Sequence, residues 1–528
     1  MELKHIGHIE KATRKSAQES LRMGIGFAFL LGILFYAETF GIGGAEGLML
    51  AIAAMIGGYM AMNIGANDVA NNVGPAVGSH AITMGGALFI AAVFEAAGAL
   101  IAGGEVVVTI KSGIIDPALV PDRETFVWIM MSALLAGALW LNIATAVGAP
   151  VSTTHSIVGA VIGAGLAAVG MEIVNWGKIS DIVLSWIVSP LLGGVFAAAL
   201  LYLIKRRITY QEDMLGAAVR NVPLLVALMA AVFTSYIIQK GLDKLWHVSV
   251  GVSLLYGLGV GLGAFFLLRP LYRRRMAQAE NCRESVDRLF IAPLIFSAAL
   301  LSFAHGANDV ANAVGPLAAI TQSLTQAADV LAAREASIPL WVMVIGAIGI
   351  ALGLALFGPR LIRTVGSEIT ELDRMRAYCI AMSAAFTVIV ASQFGLPVSS
   401  THIAVGGVFG VGFLREYLEA NYERMKDEIR AYHSEDDLAT VNAFLERFQS
   451  APLAQKGVML ADLKLKAKLK QDPANFSKPE RKGLKKIYRR ELVKRSQLKK
   501  IIAAWVITVP ASALLAVGAF HALRGLLG

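Results

Sequence analysis

Residues Gly65–Pro75 read GANDVANNVGP, and residues Gly306–Pro316 read GANDVANAVGP, identical at all positions but one. We call these the acidic signatures. A second pair follows in the same order, GAPVSTTH at Gly148–His155 and GLPVSSTH at Gly395–His402, which we call the hydroxyl signatures. A chain that carries the same two signatures twice, in the same order, is an internal duplication.

The sequence around the signatures is strongly apolar. Of 528 residues, 56% are hydrophobic and 16% are charged, and the mean hydropathy is +0.63, whereas soluble domains carry about 25% charged residues. Apolar runs recur that reach the ~20 residues a helix needs to cross about 30 Å of hydrocarbon. We therefore predict an all-α polytopic membrane protein with about 10–13 transmembrane helices, some of them re-entrant helical hairpins.

The apolar runs and the repeat divide the chain into six predicted segments. They are residues 1–22, a cytoplasmic N-terminal segment; 23–204, the first transmembrane half, with repeat 1 at about 45–170; 205–288, connecting spans and a basic cytoplasmic loop; 289–414, repeat 2; 415–500, a hydrophilic cytoplasmic insert; and 501–528, the final transmembrane helix.

The insert holds most of the excess positive charge of the chain. It contains 21 Lys and Arg against 13 Asp and Glu, while the whole chain has a formal charge of +9. Residues 463–500 are the most basic part and favour anionic lipid headgroups of the cytoplasmic leaflet. A solvated topology anchor and a regulatory or partner-binding segment are the alternatives. We expect no nucleic-acid partner for a segment tethered to a membrane.

The acidic signatures place a carboxylate, Asp68 or Asp309, inside an apolar run. A charge at the centre of a membrane costs about 2.5 kcal/mol or more, so such residues are functional-site hypotheses. The neighbouring amides, which both donate and accept hydrogen bonds, are Asn67, Asn71, Asn308 and Asn312. With Gly-Pro following, the pattern predicts a helix interrupted or ended at membrane depth. The alternative is a packing motif whose polar groups satisfy one another.

The hydroxyl signatures have the chemistry of a helix N-terminus. Pro150 and Pro397 cannot continue a preceding helix, and the hydroxyls that follow can cap a new one. These hydroxyls belong to Ser152, Thr153, Thr154, Ser399, Ser400 and Thr401. A helix N-terminus presents N–H donors and partial positive charge to an anion. Plain helix capping is the alternative.

The signatures contain no Lys or Arg. An oxyanion bound beside Asp68 and Asp309 would therefore be repelled unless a cation or a proton accompanies it. Carboxylate, amide and hydroxyl oxygens are hard ligands that suit Na⁺, so the residues predict ion coupling, with Na⁺ at Asp68 and Asp309 as one form of it.

The doubled GANDVAN and PVS[ST]TH motifs resemble the inorganic phosphate transporter (PiT) family, over residues 45–170 and 290–413. The resemblance implies two inverted repeats, phosphate transport coupled to H⁺ or Na⁺, and one central phosphate site between paired helical hairpins. By motif, the implied phosphate-binding residues are Asn67, Asp68, Ser152, Thr153, Thr154, Asn308, Asp309, Ser399, Ser400 and Thr401. The implied coupling-cation residues are Asp68, Asn71, Thr154, Asp309, Asn312 and Thr401.

Other polar residues in apolar runs are open to two interpretations. Glu95 is either a gating or cation-linked acid or a buried, partnered one. His155 and His402 are either a proton relay or hydrogen-bonded structural residues. We expect the tryptophans near the ends of apolar runs, such as Trp128, Trp176 and Trp186, in a membrane-interface belt.

These observations favour a secondary symporter for inorganic phosphate, coupled to H⁺ or Na⁺ and working by alternating access. Phosphate travels either free or as a divalent-metal complex. A sulfate or other oxyanion permease is the near alternative. A membrane hydrolase using Ser152 or Thr154 with His155 is disfavoured, since adjacent helical residues do not face each other; we expect no enzyme and no cofactor. We expect a multi-pass protein of the bacterial inner (plasma) membrane, and the sequence leaves a homodimer open.

Overall fold

The structure is a computed structural model, and it describes residues 2–39, 44–242, 248–325, 338–368, 373–431, 441–447, 458–459, 462–463 and 495–527. In these ranges the chain is helical, and β pairing is limited to an isolated bridge between Ile115 and Val174. The helices, numbered here in chain order, are α1 Glu2–Glu38, α2 Gly44–Asn67, α3 Val69–Gly78, α4 Met84–Ala102, α5 Gly104–Ser112, α6 Arg123–Val147, α7 Thr153–Ala168, α8 Trp176–Ile204, α9 Met214–Ile237, α10 Val250–Arg275, α11 Arg283–Leu289, α12 Ile291–Asp309, α13 Ala311–Thr325, α14 Leu340–Glu368, α15 Arg374–Gln393, α16 Ser400–Ala431 and α17 Arg495–Leu527.

Eleven helical segments of the described chain are long and apolar enough to cross a membrane. This number lies within the predicted ten to thirteen, and the all-α polytopic fold is confirmed. The polar segment differs in detail: α16 continues to Ala431, into the predicted insert, and α17 begins at Arg495. Most of the predicted lipid-binding segment 463–500 lies outside the described residues.

The duplication is visible in how the helices pack. Helix α2 packs on α14 as α12 packs on α4, and α7 packs on α17 as α16 packs on α8. Helix α6 likewise contacts α17 as α15 contacts α8. Exchanging α2, α4, α6, α7 and α8 for α12, α14, α15, α16 and α17 therefore reproduces the contacts, and the correspondence extends beyond the predicted repeat bounds to α8 and α17.

Two glycines show how closely the corresponding helices approach. Gly65 in α2 lies directly against the backbone carbonyl of Ile350, and Gly306 in α12 lies against that of Glu95. A Cβ at either glycine would collide with the facing backbone. Glu95 and Ile350 thus occupy equivalent places in the two halves, since the equivalent glycines contact them.

Helices α6 and α7 form a hairpin. The bridge between Ile115 and Val174 joins the segment before α6 to the segment after α7, so both ends of the hairpin lie together. Gly148, at the turn, has a left-handed φ of 75°, and Gly395 has a φ of 62° at the turn between α15 and α16. Glycine adopts this conformation without steric cost. The two hydroxyl signatures are therefore hairpin tips.

The acidic signatures interrupt their helices for a single residue and do not end them. Asp68 separates α2 from α3, and Val310 separates α12 from α13. Asp68 keeps right-handed helical angles, φ −82° and ψ −34°, so the chain direction is maintained through the signature. Of the two predicted forms, an interrupted or an ended helix, the structure shows the interrupted one, because the chain continues as helix to Gly78 and Thr325.

Candidate functional site

The tips of both hairpins meet the first acidic signature. Thr153 Oγ1, at the start of α7, donates a hydrogen bond of 2.7 Å to Asp68 Oδ2. Thr401 Oγ1, in the first turn of α16, donates one of 2.7 Å to Asp68 Oδ1. The Asp68 side chain is buried, with 1% of the residue exposed. One buried carboxylate therefore holds the N-terminal turns of two helices that come from different repeats.

Amides of the acidic signatures add further bonds across the repeats. Asn71 Nδ2 donates to Thr401 Oγ1 at 2.8 Å. Asn312 Nδ2 donates to Thr153 Oγ1 at 3.1 Å and to Thr154 Oγ1 at 3.3 Å. Each acidic signature is thus bonded to the hairpin tip of the other repeat.

Asp309 is bonded differently from Asp68. Its Oδ2 accepts a hydrogen bond from Ser400 Oγ at 3.3 Å, which matches the bond from Thr153 to Asp68. Its Oδ1 is buried and has no hydrogen-bond partner among the described residues. In the described chain, Asp309 therefore has one carboxylate oxygen without a hydrogen bond, whereas both oxygens of Asp68 accept one.

Asn67 and Asn308 fasten each acidic signature to its own hairpin. Asn67 Nδ2 donates to Thr145 Oγ1 at 2.9 Å and to the Ala149 carbonyl at 3.2 Å. Asn308 Nδ2 donates to Ser392 Oγ at 2.9 Å in the equivalent place. Since their amide hydrogens bind the hairpin turns, these two residues position the tips.

Ser152 and Ser399 cap the helices that start at the tips. Ser152 Oγ accepts a hydrogen bond from the His155 N–H, and Ser399 Oγ accepts one from the His402 N–H. Helix capping is therefore observed for these two hydroxyls, and their role as phosphate ligands stays a prediction.

His305 is the residue of this site that the sequence did not single out. Its Nε2 lies 2.6 Å from Asp309 Oδ2 and 3.8 Å from Asp68 Oδ2, and its Nδ1 lies 2.6 Å from Glu95 Oε2. Asn72 Nδ2 donates to Glu95 Oε1 at 2.7 Å, so Glu95 is a buried, partnered acid. The spacing of four residues between His305 and Asp309, which places both on one helix face, was the available signal.

These side chains can surround a cation. One ligand atom from each of Asp68, His305 and Asp309 lies within 4.8 Å of the others. Carboxylate oxygens are ligands for hard cations, and imidazole nitrogen adds affinity for divalent transition metals.

Comparison with known proteins assigns the chain to a family. The sequence profile of the phosphate transporter family matches residues 64–516. The chain belongs to the phosphate transporter family. A family of transporters fits a role other than that of an enzyme, and the resemblance to phosphate transporters noted from the two motifs is confirmed.

Members of the phosphate transporter family from distant organisms are similar over long stretches. A Helicobacter pylori protein (strain J99) described as "Putative phosphate permease" is 54% identical over 99% of both chains. A Pyrococcus abyssi protein with the same description is 39% identical over 72% of this chain and 92% of its own. A solved structure described as "The sodium-dependent phosphate transporter" has a TM-score of 0.71 and 31% identity, and the match covers 90% of this chain and 99% of that one.

In this family member the two signature histidines meet each other. The ring centres of His155 and His402 lie 4.3 Å apart, with the tilted ring of Trp186 at 3.7 Å from His155 and that of Trp505 at 3.6 Å from His402. Both ring nitrogens of His155, and Nε2 of His402, have no hydrogen-bond partner in the described part of the chain. The interpretation of a hydrogen-bonded histidine is therefore wrong for His155, because aromatic contacts hold its ring.

Two tryptophans also depart from the expected interface belt. Trp186 contacts the His155 ring and donates from Nε1 to the Pro397 carbonyl at 3.1 Å. Trp128 is only 3% exposed. Trp128 therefore lies in the protein interior and Trp186 is half-buried against the second hairpin tip, because helix packing supplies partners that a position near the end of an apolar run does not reveal.

Proposed function

We propose that this chain is a Na⁺-coupled phosphate symporter, with phosphate bound between the N-terminal turns of α7 and α16 and beside Asp68 and Asp309. The observation that carries the proposal is the pair of hydrogen bonds from Thr153 and Thr401 to Asp68. They bring two helix N-termini from opposite repeats to one buried point. Helix N-termini are anion sites, and transporters build substrate sites from such ends in repeated halves.

The charge balance at this point supports coupling to a cation. Within the described residues, the basic side chain that forms ion pairs with Asp68 and Asp309 is His305. Phosphate therefore approaches two carboxylates and needs an added positive charge. The similarity to a sodium-dependent phosphate transporter favours Na⁺ over H⁺ as that charge.

The roles follow from where each side chain lies. Thr153, Thr154, Ser400 and Thr401 supply hydroxyls to phosphate; Ser152 and Ser399 cap its helices, with Asn67 and Asn308 behind the tips. Asp68 and Asp309, together with Asn71, Asn312, Thr154 and Thr401, hold the coupling cation. Glu95 acts on the cation side of the site, through its contact with His305.

Alternating access is supported by the way the repeats are joined. The bonds from Asn71 to Thr401 and from Asn312 to Thr154 both cross from one repeat to the other. Phosphate and a cation bind to the same hydroxyl and amide groups that form these cross-repeat bonds, so ligand binding competes with the bonds. One repeat can then rock against the other when these cross-repeat bonds exchange for ligand contacts.

Uptake of labelled phosphate into proteoliposomes tests the proposal. We expect accumulation under an inward Na⁺ gradient and little under a pH gradient alone. Accumulation under the pH gradient alone would assign the coupling to H⁺. No uptake under either gradient would reject phosphate symport, and efficient competition by sulfate would favour a general oxyanion permease.

A metal–phosphate complex is a second candidate substrate. It is favoured by the three ligand atoms of Asp68, His305 and Asp309, which lie close enough to bind one ion. Uptake compared with Mg²⁺ and with a chelator distinguishes the two: dependence on the divalent metal supports the complex, and unchanged uptake supports free phosphate.

The setting of the transporter is also proposed. The eleven candidate spans suit a multi-pass protein, and we place it in the bacterial inner membrane with residues 415–500 in the cytoplasm. Binding of residues 463–500 to anionic lipid and assembly as a homodimer stay predictions. A protease-accessibility test on inverted and right-side-out vesicles, cutting in the insert, would contradict the orientation if only right-side-out vesicles were cut.

A further inference from the structure

A buried polar chain runs from α3 through α4 to α12 and ends at the substrate site. Asn72 donates to Glu95 at 2.7 Å, Glu95 contacts His305 Nδ1 at 2.6 Å, and His305 Nε2 lies 2.6 Å from Asp309. Glu95 and His305 each have 0% exposure. Buried charged groups are costly unless they are partnered, so a chain of this kind in a transporter calls for a role.

The other half of the duplicated protein has no such chain. The acidic signatures align Asn72 with Ala313 and His305 with Ile64. The packing of Gly65 and Gly306 aligns Glu95 with Ile350. The places around Asp68 that correspond to Asn72, Glu95 and His305 around Asp309 are therefore apolar. They hold Ala313, Ile350 and Ile64. Packing alone is satisfied by the apolar set, since the helices approach equally closely in both halves.

The consequence of this asymmetry is seen at the two carboxylates. Both oxygens of Asp68 accept hydrogen bonds from threonine hydroxyls, and Asn67 Oδ1 accepts one from the Val151 N–H at 3.1 Å. In repeat 2, three buried side-chain oxygens have no partner among the described residues: Oδ1 of Asn308, of Asp309 and of Asn312. Buried acceptors are normally satisfied, and a cation satisfies several oxygens at once.

We propose that Asn72, Glu95 and His305 are positioning residues that orient Asp309 for the coupling cation, and that the two halves of the site are unequal. His305 Nε2 lies against Asp309 Oδ2, which leaves Oδ1 of Asp309, with the amide oxygens of Asn308 and Asn312, available to the cation. Asp68 also joins the two hairpin tips through hydroxyls, which Asp309 does not. His305 acts through Asp309, because both of its ring nitrogens already contact carboxylates. This inference rests on the proposed cation-coupled phosphate transport.

The test replaces the chain by its counterparts from the other half. The variant Asn72→Ala/Glu95→Ile/His305→Ile puts at each position the residue found at the equivalent place, so neither Glu95 nor His305 is left without the other, and the carboxylate of Asp309 loses its contact with His305. In proteoliposomes, we expect the Na⁺ concentration for half-maximal phosphate uptake to rise about tenfold or more, the size of effect expected when a charged group loses a close polar partner. The KM for phosphate at saturating Na⁺ should change less than about twofold, since the hydroxyl tips are untouched.

Matched controls come from the same helices and from the equivalent places. Ser297→Ala in α12 removes a buried hydroxyl that bonds only its own helix, to the Leu294 carbonyl. Ile64→Val and Ile350→Val trim the apolar pair that corresponds to His305 and Glu95. We expect wild-type Na⁺ dependence for all three. Equal rises in the Na⁺ requirement and the phosphate KM of the triple variant, or no rise in either, would overturn the positioning role.

If the triple variant shows no measurable uptake, Na⁺ binding is measured instead by thermal unfolding. The shift of the melting temperature of purified protein on addition of Na⁺ should be lost in the triple variant and kept in the controls; a shift of wild-type size would reject the proposal. If the triple variant does not fold, Glu95→Gln is measured instead, with the same two readouts and the same deciding outcomes. Lack of phosphate uptake by the wild type would reject the proposed function itself. A requirement for a divalent metal that is abolished by His305→Ile would make His305 a metal ligand and overturn its positioning role.

Discussion

Thr401 of the second hairpin donates a hydrogen bond of 2.7 Å to Asp68 of the first acidic signature, 333 residues away in the chain. The bond joins the two repeats at a buried point, beside the equivalent bond from Thr153. A contact between repeats at the proposed substrate site would link occupancy of that site to the relative placement of the two halves.

Thr401→Val should lower the kcat/KM of phosphate uptake about tenfold or more. Valine keeps the branched shape but leaves Asp68 without one hydrogen bond, and a hydrogen bond to a charged group is worth about 1.5–3 kcal/mol. Thr401→Ser should retain most of the activity because it keeps the hydroxyl. The control is Thr387→Val, whose hydroxyl bonds only the Ser383 carbonyl of its own helix; equal losses in both valine variants would contradict a specific role.

Asp68→Asn and Asp309→Asn should each abolish Na⁺-driven accumulation of phosphate. An amide has a similar shape but no charge. The substitution therefore removes the repulsion between the carboxylate and phosphate that a cation must offset, and it also removes a main ligand of that cation. Initial rates under a Na⁺ gradient, with matched protein content, measure the effect. Asp181→Asn, at an exposed position of α8, should transport normally. Wild-type accumulation by either site variant would refute the charge argument.

Gly65→Ala and Gly306→Ala should lower the melting temperature of the purified protein. The added methyl group meets the backbone of the facing helix, and overpacking of this kind costs about 1–3 kcal/mol. Gly85→Ala in α4 has open space around the new methyl group and should be neutral or slightly stabilising, since alanine favours helix. A neutral Gly65→Ala would mean that the close contact of α2 with α14 is easily relaxed.

His155→Phe should transport phosphate within about threefold of the wild type, with an unchanged pH profile. The ring of His155 is held by Trp186 and His402, and its nitrogens have no hydrogen-bond partner in the described chain, so phenylalanine keeps the contacts and loses no hydrogen bond. His155→Ala, which opens a cavity, should be clearly less stable. A changed pH profile in His155→Phe would instead support the proton-relay interpretation.

Much of the fold and the chemistry of the site could be predicted from the sequence. The apolar runs predict spans because burial in lipid needs long uncharged helices. The doubled signatures predict the repeat, and they bring together the groups that lie at the site: Asp68, Asp309 and the hydroxyls of the hairpin tips. Motif chemistry is readable in this way because the groups that act together, such as a turn and the helix it starts, are neighbours in sequence.

Other parts of the site depend on contacts between distant residues. The pairing of Glu95 with His305 joins residues 210 positions apart, and the spacing of four residues between His305 and Asp309 does not by itself show that Glu95 is the partner. The same holds for His155 and His402, whose rings meet only because the two hairpin tips come together in the fold.

By itself, the sequence determined that the protein is a duplicated, helical membrane transporter with carboxylates and hydroxyls at its centre, because hydrophobic runs and repeated motifs are local properties of the chain. The tertiary structure decided how the two halves of the site differ. Two nearly identical acidic signatures acquire different partners, Glu95 and His305 on one side against Ile350 and Ile64 on the other, and only helix packing brings those residues to them.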